Sequence, residues 1–509
     1  MIAASVTVAL ADQTYTITVK NGNKGETYTA YKIFDVVYSG TNYAYSINNT
    51  GEWWSAIVGS TAADSNGDYT LSAYGIKFQH TTDANVFAVV NAVDGTNPTT
   101  AQMAKLAEDL AKVDLTGKTA AGSGSVAKAE GDAYGAKADV TINVNPDVAG
   151  YYFVKTTTGA LCALNTTDTN AEVQEKNQIP DIDKKQAIDA APETAAGYVD
   201  ADLDVQVGDT VYYQIEVSDG KGTDAEIVVT DTMGTGLAFD TTTDPVITAS
   251  INGAAEATVD PTNYSITNKT AVGFVVTFNA AYVKTLTEND KLYIRFTATV
   301  TDAAYTVNYE RNTASIDYSN QHKEDHVDVK PYKFQLDKTD GEYTDLLGAK
   351  FELYRGSNAA ANKIYFVKGT AENGIPVLQV VPSTTTGAFS EIELTEGTTG
   401  NSLNSSKVII KGLDKDTYIL HETKAPDGYN ELKEDRTVAA TTLVAIDGTI
   451  TDAEGIANDV GVVTVVNETG IELPSTGGIG TTLFYVGGGI LVLLAIVMLV
   501  TKKRMKAED

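Results

Sequence analysis

The sequence predicts an all-β chain: three tandem β-sandwiches, a minor helix in the first, and one membrane-spanning helix towards the C-terminal end. Three observations carry this reading. Short runs rich in Thr, Val, Tyr and Ile, such as "TYTITVKNGNKG", "DTVYYQIEVSDGKG" and "KLYIRFTATVTD", are broken by Gly, Asn and Asp, the texture of sandwiches rather than of alternating strands and helices. The 509 residues are too many for one hydrophobic core, and the usual domain size divides them into roughly three. Residues 481–500, "TTLFYVGGGILVLLAIVMLV", form an uncharged stretch long enough to cross about 30 Å of hydrocarbon as a helix.

In chain order, "MIAASVTVALADQ" carries a small-x-small pattern at Ala9-Leu10-Ala11 before Asp12, so residues 1–11 are expected to be a residual signal peptide. The first domain is expected over 12–175. Its helix should open at Pro98 and run to about Val113, with Met103, Leu106, Leu110 and Val113 on one face. The second domain is expected over 176–332 and the third over 333–470. Residues 471–509 hold the span and the basic tail Lys502-Lys503-Arg504, which keeps the C-terminal end inside.

Composition excludes several functions. The 37 Lys and Arg against 67 Asp and Glu give a net charge of -30, which repels phosphate backbones, so nucleic acid is not an expected partner. The single cysteine, Cys162, rules out an intrachain disulfide and directs attention to another covalent staple. In its "ALCAL" setting Cys162 reads as a small apolar residue. His322 and His326 in "HKEDH" read as part of a turn or linker with no third ligand, and "DSNGD" at Asp64–Asp68 reads as a hairpin turn, so no metal and no cofactor is expected.

Just before the span stands Leu473-Pro474-Ser475-Thr476-Gly477. With the apolar span and basic tail behind it, this motif resembles the cell-wall sorting signal of Gram-positive surface proteins. The resemblance implies that a sortase cysteine attacks the Thr476 carbonyl, releases Gly477 with the membrane tail, and hands the acyl group to an amine.

Further resemblances cover most of the chain. "FQLDKTDGEYTDLLGAKFELYR", "TYILHETKAPDGYNELK" and "VVTVVNETG" resemble the first strand, the Glu-containing box and the last strand of a collagen-adhesin B-type domain. "IPDIDKKQAID", "EIVVTDTMGTGL" and "YERNTASIDY" resemble the middle domain of sortase-assembled pilin shafts. "TYTAYKIFDVV" and "AGYYFVKTTTGALCALN" look like their first domain. The family implies immunoglobulin-like sandwiches in which a Lys on the first strand and an Asn on the last condense into an amide, helped by an acid.

Strand phase agrees with the residues that the resemblance singles out, because positions two apart share a face. Phe334 and Leu336 put Lys338 inside, Tyr418 and Leu420 do so for Glu422, and Val463 and Val465 do so for Asn467. In the middle domain Ile182 sets the phase for Lys184, Ile227 and Val229 for Asp231, and Ala314 and Ile316 for Asn312, with Lys185 and Asn308 as rivals. Lys and Asn are 128 residues apart in one set and 129 in the other. Burial makes the amine neutral and keeps the acid protonated, so Asp231 and Glu422 are expected to polarise the Asn carbonyl for attack by Lys, with loss of ammonia. Such a link lets tension bypass the domain interior. No cross-link is assigned to the first domain, where Lys32 has no acidic box after it.

In these pilins the amine that receives the next subunit lies in a Tyr-Pro-Lys-Asn type motif closing the first domain. "AEVQEKNQIPDIDKK" keeps Lys176-Asn177 and has Gln174-Glu175 in place of Tyr-Pro, and Lys330 in "VDVKPYK" is the rival. The resemblance implies a pilus shaft subunit that is a sortase substrate and not an enzyme beyond its own cross-linking. Its implied partners are pilus-specific and housekeeping sortases, identical subunits in a linear polymer, accessory pilins and peptidoglycan, with the host ligand unspecified. The alternatives are a wall-anchored adhesin or pilus-base subunit that is not polymerised, and a surface enzyme on sandwich stalks, against which stands the lack of a Ser-His-Asp or nucleotide-binding pattern.

Overall fold

A computed structural model describes residues 15–39, 42–93, 95–144, 149–156, 158–165, 170–188, 190–220, 223, 225–397, 399–451, 460–470 and 479–505. Period-two burial organises the first unit. Ile17 and Val19 on the Tyr15–Asn23 strand, Val140 and Ile142 on Lys137–Val144, and Val173 on Asn170–Gln174 point one way from a three-stranded sheet. They meet Tyr28, Ala30 and Val154 of an eight-stranded sheet. A second apolar cluster forms around Phe34, Trp53, Phe78, Phe87 and Phe153, and Leu106 and Leu110 of the helix close it.

That helix spans Thr100–Ala111, two residues inside the expected start. The Thr99 hydroxyl accepts from the Gln102 amide at 3.2 Å and the Gln102 side chain accepts from the Thr99 amide at 2.9 Å. This capping box fixes Thr99 as the N-cap, so Pro98 lies outside the helix.

The second unit packs two six-stranded sheets face to face. The sheet that starts with Asp181–Ala187 continues through Thr210–Ser218 and Lys291–Val300, and the facing sheet holds Gln321–Lys330, Glu310–Tyr318 and Ile227–Met233 in adjacent positions. The third unit packs a six-stranded sheet containing Tyr332–Asp340, Lys407–Leu413 and Val462–Asn467 on a four-stranded sheet containing Tyr418–Lys424. Each has its own continuous apolar core.

One expectation is overturned here. His322 and His326 lie in neither a turn nor a linker: they belong to the Gln321–Lys330 strand, in unbroken antiparallel register with Glu310–Tyr318. The sequence hides this strand because most of its length is a sheet edge, where charged side chains blunt pairing with other chains and replace apolar alternation. A further consequence is that Asn312 stands on the penultimate strand of its sandwich, not on the last.

Bonds between units join the three. The Ser319 hydroxyl donates to Glu26 at 2.6 Å and the Gln321 amide donates to Glu26 at 3.0 Å. Val207 N–H donates to the Gly412 carbonyl at 3.0 Å, and the Tyr305 hydroxyl donates to the Val380 carbonyl. Gly412 adopts φ +88°, and a Cβ there would lie 2.5 Å from the Tyr305 ring, so this joint requires glycine. The C-terminal helix Ile479–Met505 contains a segment, Leu483–Arg504, long and apolar enough to cross a membrane, and none of it is buried against the sandwiches.

Candidate functional site

In the middle sandwich the Asp181–Ala187 strand aims Lys184 inward, where it is fully buried. Its Nζ contacts Asp231 and lies 5.3 Å from the centre of the Tyr213 ring and 5.1 Å from that of Phe296. Asp231 sits opposite Ala314, and Asn312 opposite Met233, so the acid and the amide occupy adjacent strands of the facing sheet. Asn312 is fully buried and its side-chain nitrogen and oxygen form no hydrogen bond of ordinary geometry among the described residues. Its amide still lies close enough to stabilise the ionised forms of Asp231 and Tyr213. Burial pulls the Lys184 amine below its usual value, and the Asp231 charge opposes this. Burial pushes the Asp231 carboxyl up against the pull of Lys184. The two shifts favour a neutral amine beside a protonated acid, with the Asn312 amide next to them.

The rivals are placed differently. Lys185 faces outward, where it pairs with Asp183 at 2.7 Å. Asn308 precedes the Glu310–Tyr318 strand and is only partly buried.

In the third sandwich Lys338 and Asn467 lie on adjacent parallel strands, with Lys338 opposite Val465 and Asn467 opposite Asp340. Both are buried, and Glu422 reaches them from the other sheet at 8 % exposure. Lys338 donates to the Thr339 carbonyl at 2.9 Å and to the Val465 carbonyl at 3.2 Å. Burial pulls its amine from 10.5 down to about 8, against the charges of Glu422 and Asp340.

The Asn467 amide nitrogen donates to Glu422 Oε2 at 3.0 Å and to the Asn430 carbonyl at 2.6 Å. Glu422 thus meets the nitrogen of the amide and not, as expected, its carbonyl. The Asn430 carbonyl needs a donor and the Leu432 N–H donates to the same carboxyl oxygen at 2.8 Å, so this loop orients both groups. Asn467 Oδ1 and Glu422 Oε1 carry no hydrogen bond among the described residues. The Glu422 carboxyl therefore sits directly at the amide nitrogen of Asn467.

Lys176 is exposed between the Asn170–Gln174 and Asp181–Ala187 strands and has no ion pair among the described residues. Lys330 ends the Gln321–Lys330 strand, is partly buried, and is held by Asp202. Lys32 is partly exposed and pairs with Asp35 at 2.6 Å. Leu473, Pro474, Ser475, Thr476 and Gly477 lie outside the described residues, as does the expected signal-peptide remnant. Sequence reading missed the aromatic pair over Lys184 and the Asn430–Leu432 loop. Tyr213 shares the inward phase of Ile215, a usable signal, whereas the loop has no period to betray it.

Residues 332–453 match the SpaA family, described as a prealbumin-like fold domain, and residues 466–507 match the LPXTG cell wall anchor motif. The chain is therefore a cell wall-anchored surface protein whose precursor is held by a C-terminal apolar helix. No curated protein matches it. Among solved structures it is similar to the full-length major pilin SpaD from Corynebacterium diphtheriae, at 16% identity and TM-score 0.41, covering 90% of this chain and 99% of that one. It is also similar to the full-length RrgB pilus protein from Streptococcus pneumoniae, at 15% identity and TM-score 0.41, covering 91% and 99%. BcpA, the major pilin subunit of Bacillus cereus, aligns at 16% identity and TM-score 0.36, covering 65% and 88%.

Proposed function

We propose that this chain is the shaft subunit of a covalently polymerised surface pilus. A sortase joins Thr476 of one copy to Lys176 of the next, and Lys184–Asn312 and Lys338–Asn467 amides stiffen the second and third sandwiches. In each bond the neutral Lys Nζ attacks the Asn Cγ, the new C–N bond forms, and the Asn Nδ2 leaves as ammonia with a proton passed through Asp231 or Glu422. The domain limits in this reading are 12–175, 176–332 and 333–470.

The observation that carries the proposal is the order of the parts. Both buried Lys, acid and Asn clusters fall between Lys176 and Thr476, so tension passing from copy to copy crosses both reinforced sandwiches while the first sandwich hangs beside the path. Lys176 is exposed and unpaired among the described residues, which suits an acceptor, whereas Asp202 occupies Lys330. The partners in this reading are a pilus sortase, a housekeeping sortase that ends growth on peptidoglycan, other copies of the chain, and accessory pilins.

The test is a Lys176→Arg variant in the producing cell, followed by immunoblots of wall extracts. The high-mass ladder should collapse to monomer, and Lys330→Arg should leave it intact. A full ladder in Lys176→Arg rejects the acceptor assignment, and a wild-type chain found only as wall-bound monomer rejects polymerisation.

A further inference from the structure

Lys176 lies above a buried polar cluster that neither cross-linking site uses. Along Val173–Gln178 burial alternates strictly: Val173, Glu175 and Asn177 are buried, and Gln174, Lys176 and Gln178 are exposed. Glu175 is only 7 % exposed, yet it carries a carboxyl, and burying one without partners is costly. Its partners are specific. The hydroxyl of fully buried Tyr28 donates to Glu175 Oε2 at 2.8 Å, and the Asn177 N–H donates to Oε1 at 2.8 Å. Tyr28 is itself fixed, because its oxygen accepts from the Asn23 N–H at 2.7 Å.

The chain is also pinned on both sides. Upstream, Gln174 is in register with Lys20, and Glu175 N–H donates to the Lys20 carbonyl at 2.9 Å. Downstream, the Tyr134 hydroxyl donates to the Pro180 carbonyl, and Gly220 packs so closely that a Cβ there would lie 2.0 Å from the Gln178 carbonyl oxygen. Lys176 is thus the outward residue of a short segment held at both ends and gripped from beneath.

We propose that Glu175 is a positioning residue for the acceptor reaction, its carboxyl holding the backbone of residues 175–177 so that the Lys176 amine is presented outward to an incoming acyl-enzyme. This rests on the reading of Lys176 as the acceptor. It also accounts for Gln174-Glu175 at a place where a proline would stiffen the chain: a proline ring fixes φ covalently, and a buried carboxyl bonded to Tyr28 and to the next-but-one amide achieves the same restraint through hydrogen bonds. A floppy acceptor would spend its approach in unproductive orientations, and misplacement by about 1 Å costs up to about 100-fold in rate.

The test uses Glu175→Ala, Glu175→Gln and Tyr28→Phe beside Lys176→Arg. Each is assayed in the full chain for ladder formation in the producing cell. Transfer is then followed in vitro with the cell's own pilus sortase, a donor peptide containing Leu-Pro-Ser-Thr-Gly, and each variant ectodomain as acceptor. Glu175→Ala should slow acylation of Lys176 about 10- to 100-fold, with transfer of the same acyl group to hydroxylamine unchanged. Glu175→Gln should recover part of the rate, and Tyr28→Phe, which removes one hydroxyl, should lose less than Glu175→Ala. Amide hydrogen exchange should quicken at Lys176 and Asn177 and stay slow in the Tyr15–Asn23 strand. Wild-type transfer by Glu175→Ala alongside a silent Lys176→Arg overturns the positioning role and leaves the acceptor reading standing. Exchange that quickens throughout the first sandwich makes Glu175 merely structural and also overturns it. A full ladder in Lys176→Arg overturns the acceptor reading itself.

Discussion

If Lys184 and Asn312 are joined, the middle sandwich has an extension limit that can be worked out from its strand order. Pulled from Lys176 and Lys330, the cross-linked module can release only the 8 residues from Lys176 to Lys184 and the 18 from Asn312 to Lys330. The second of these exists because the Gln321–Lys330 strand lies beyond Asn312 and can be peeled from its neighbour. At about 3.5 Å per residue this amounts to about 90 Å. In Asn312→Ala, which cannot form the amide but keeps the Lys184–Asp231 pair, all 154 residues extend, to about 540 Å. Single-molecule force spectroscopy with handles at those two sites separates the cases. The 128-residue loop closed by the bond is also worth about 5 kcal/mol of chain entropy at 25 °C. The calorimetric transition of this sandwich should therefore fall by about 10–20 °C in the variant. A wild-type module that extends to the variant's length refutes the reasoning.

Two further predictions follow from local geometry. In Asn467→Ala the Lys338 amine stays free, with its folded value near 8 and an unfolded value of 10.5, because Asn467 is not among the groups that set it. Between those pH values the unfolded chain holds a proton that the folded chain lacks, so the variant should gain stability as pH rises, by up to about 1.4 kcal/mol per unit, and show no such slope below 8. Wild type, in which the proposed amide occupies that nitrogen, should show no corresponding slope, and denaturant titrations from pH 7 to pH 10.5 compare the two. Gly412→Ala places a methyl 2.5 Å from the Tyr305 ring at φ +88° and should cost about 1–3 kcal/mol at the joint between the second and third sandwiches, visible as faster proteolysis there.

Much of this architecture is legible in the sequence because strands expose their phase. The same two-residue period that buries Ile182 buries Lys184 and turns Lys185 outward, and it buries Asn467 with Val463 and Val465. Legibility fails where a contact joins residues far apart or where a strand carries no apolar face. Tyr28 and Glu175 are 147 residues apart, and nothing local in "AEVQEKNQ" announces a hydroxyl beneath the carboxyl. The Gln321–Lys330 strand is written almost wholly in polar residues because it guards an edge, so its pairing emerges only from the ladder with Glu310–Tyr318. Orientation of the Asn467 amide was equally hidden, since it depends on the Asn430 carbonyl in an irregular loop.

The claim that tension runs through side-chain amides is tested most directly by the intact mass of the soluble chain ending before the sorting signal, followed by peptide mapping. The account predicts a mass about 34 Da below the sequence value, two ammonia losses of about 17 Da each, with Lys184 joined to Asn312 and Lys338 joined to Asn467. A mass equal to the sequence value, with all four residues recovered in separate linear peptides, contradicts it.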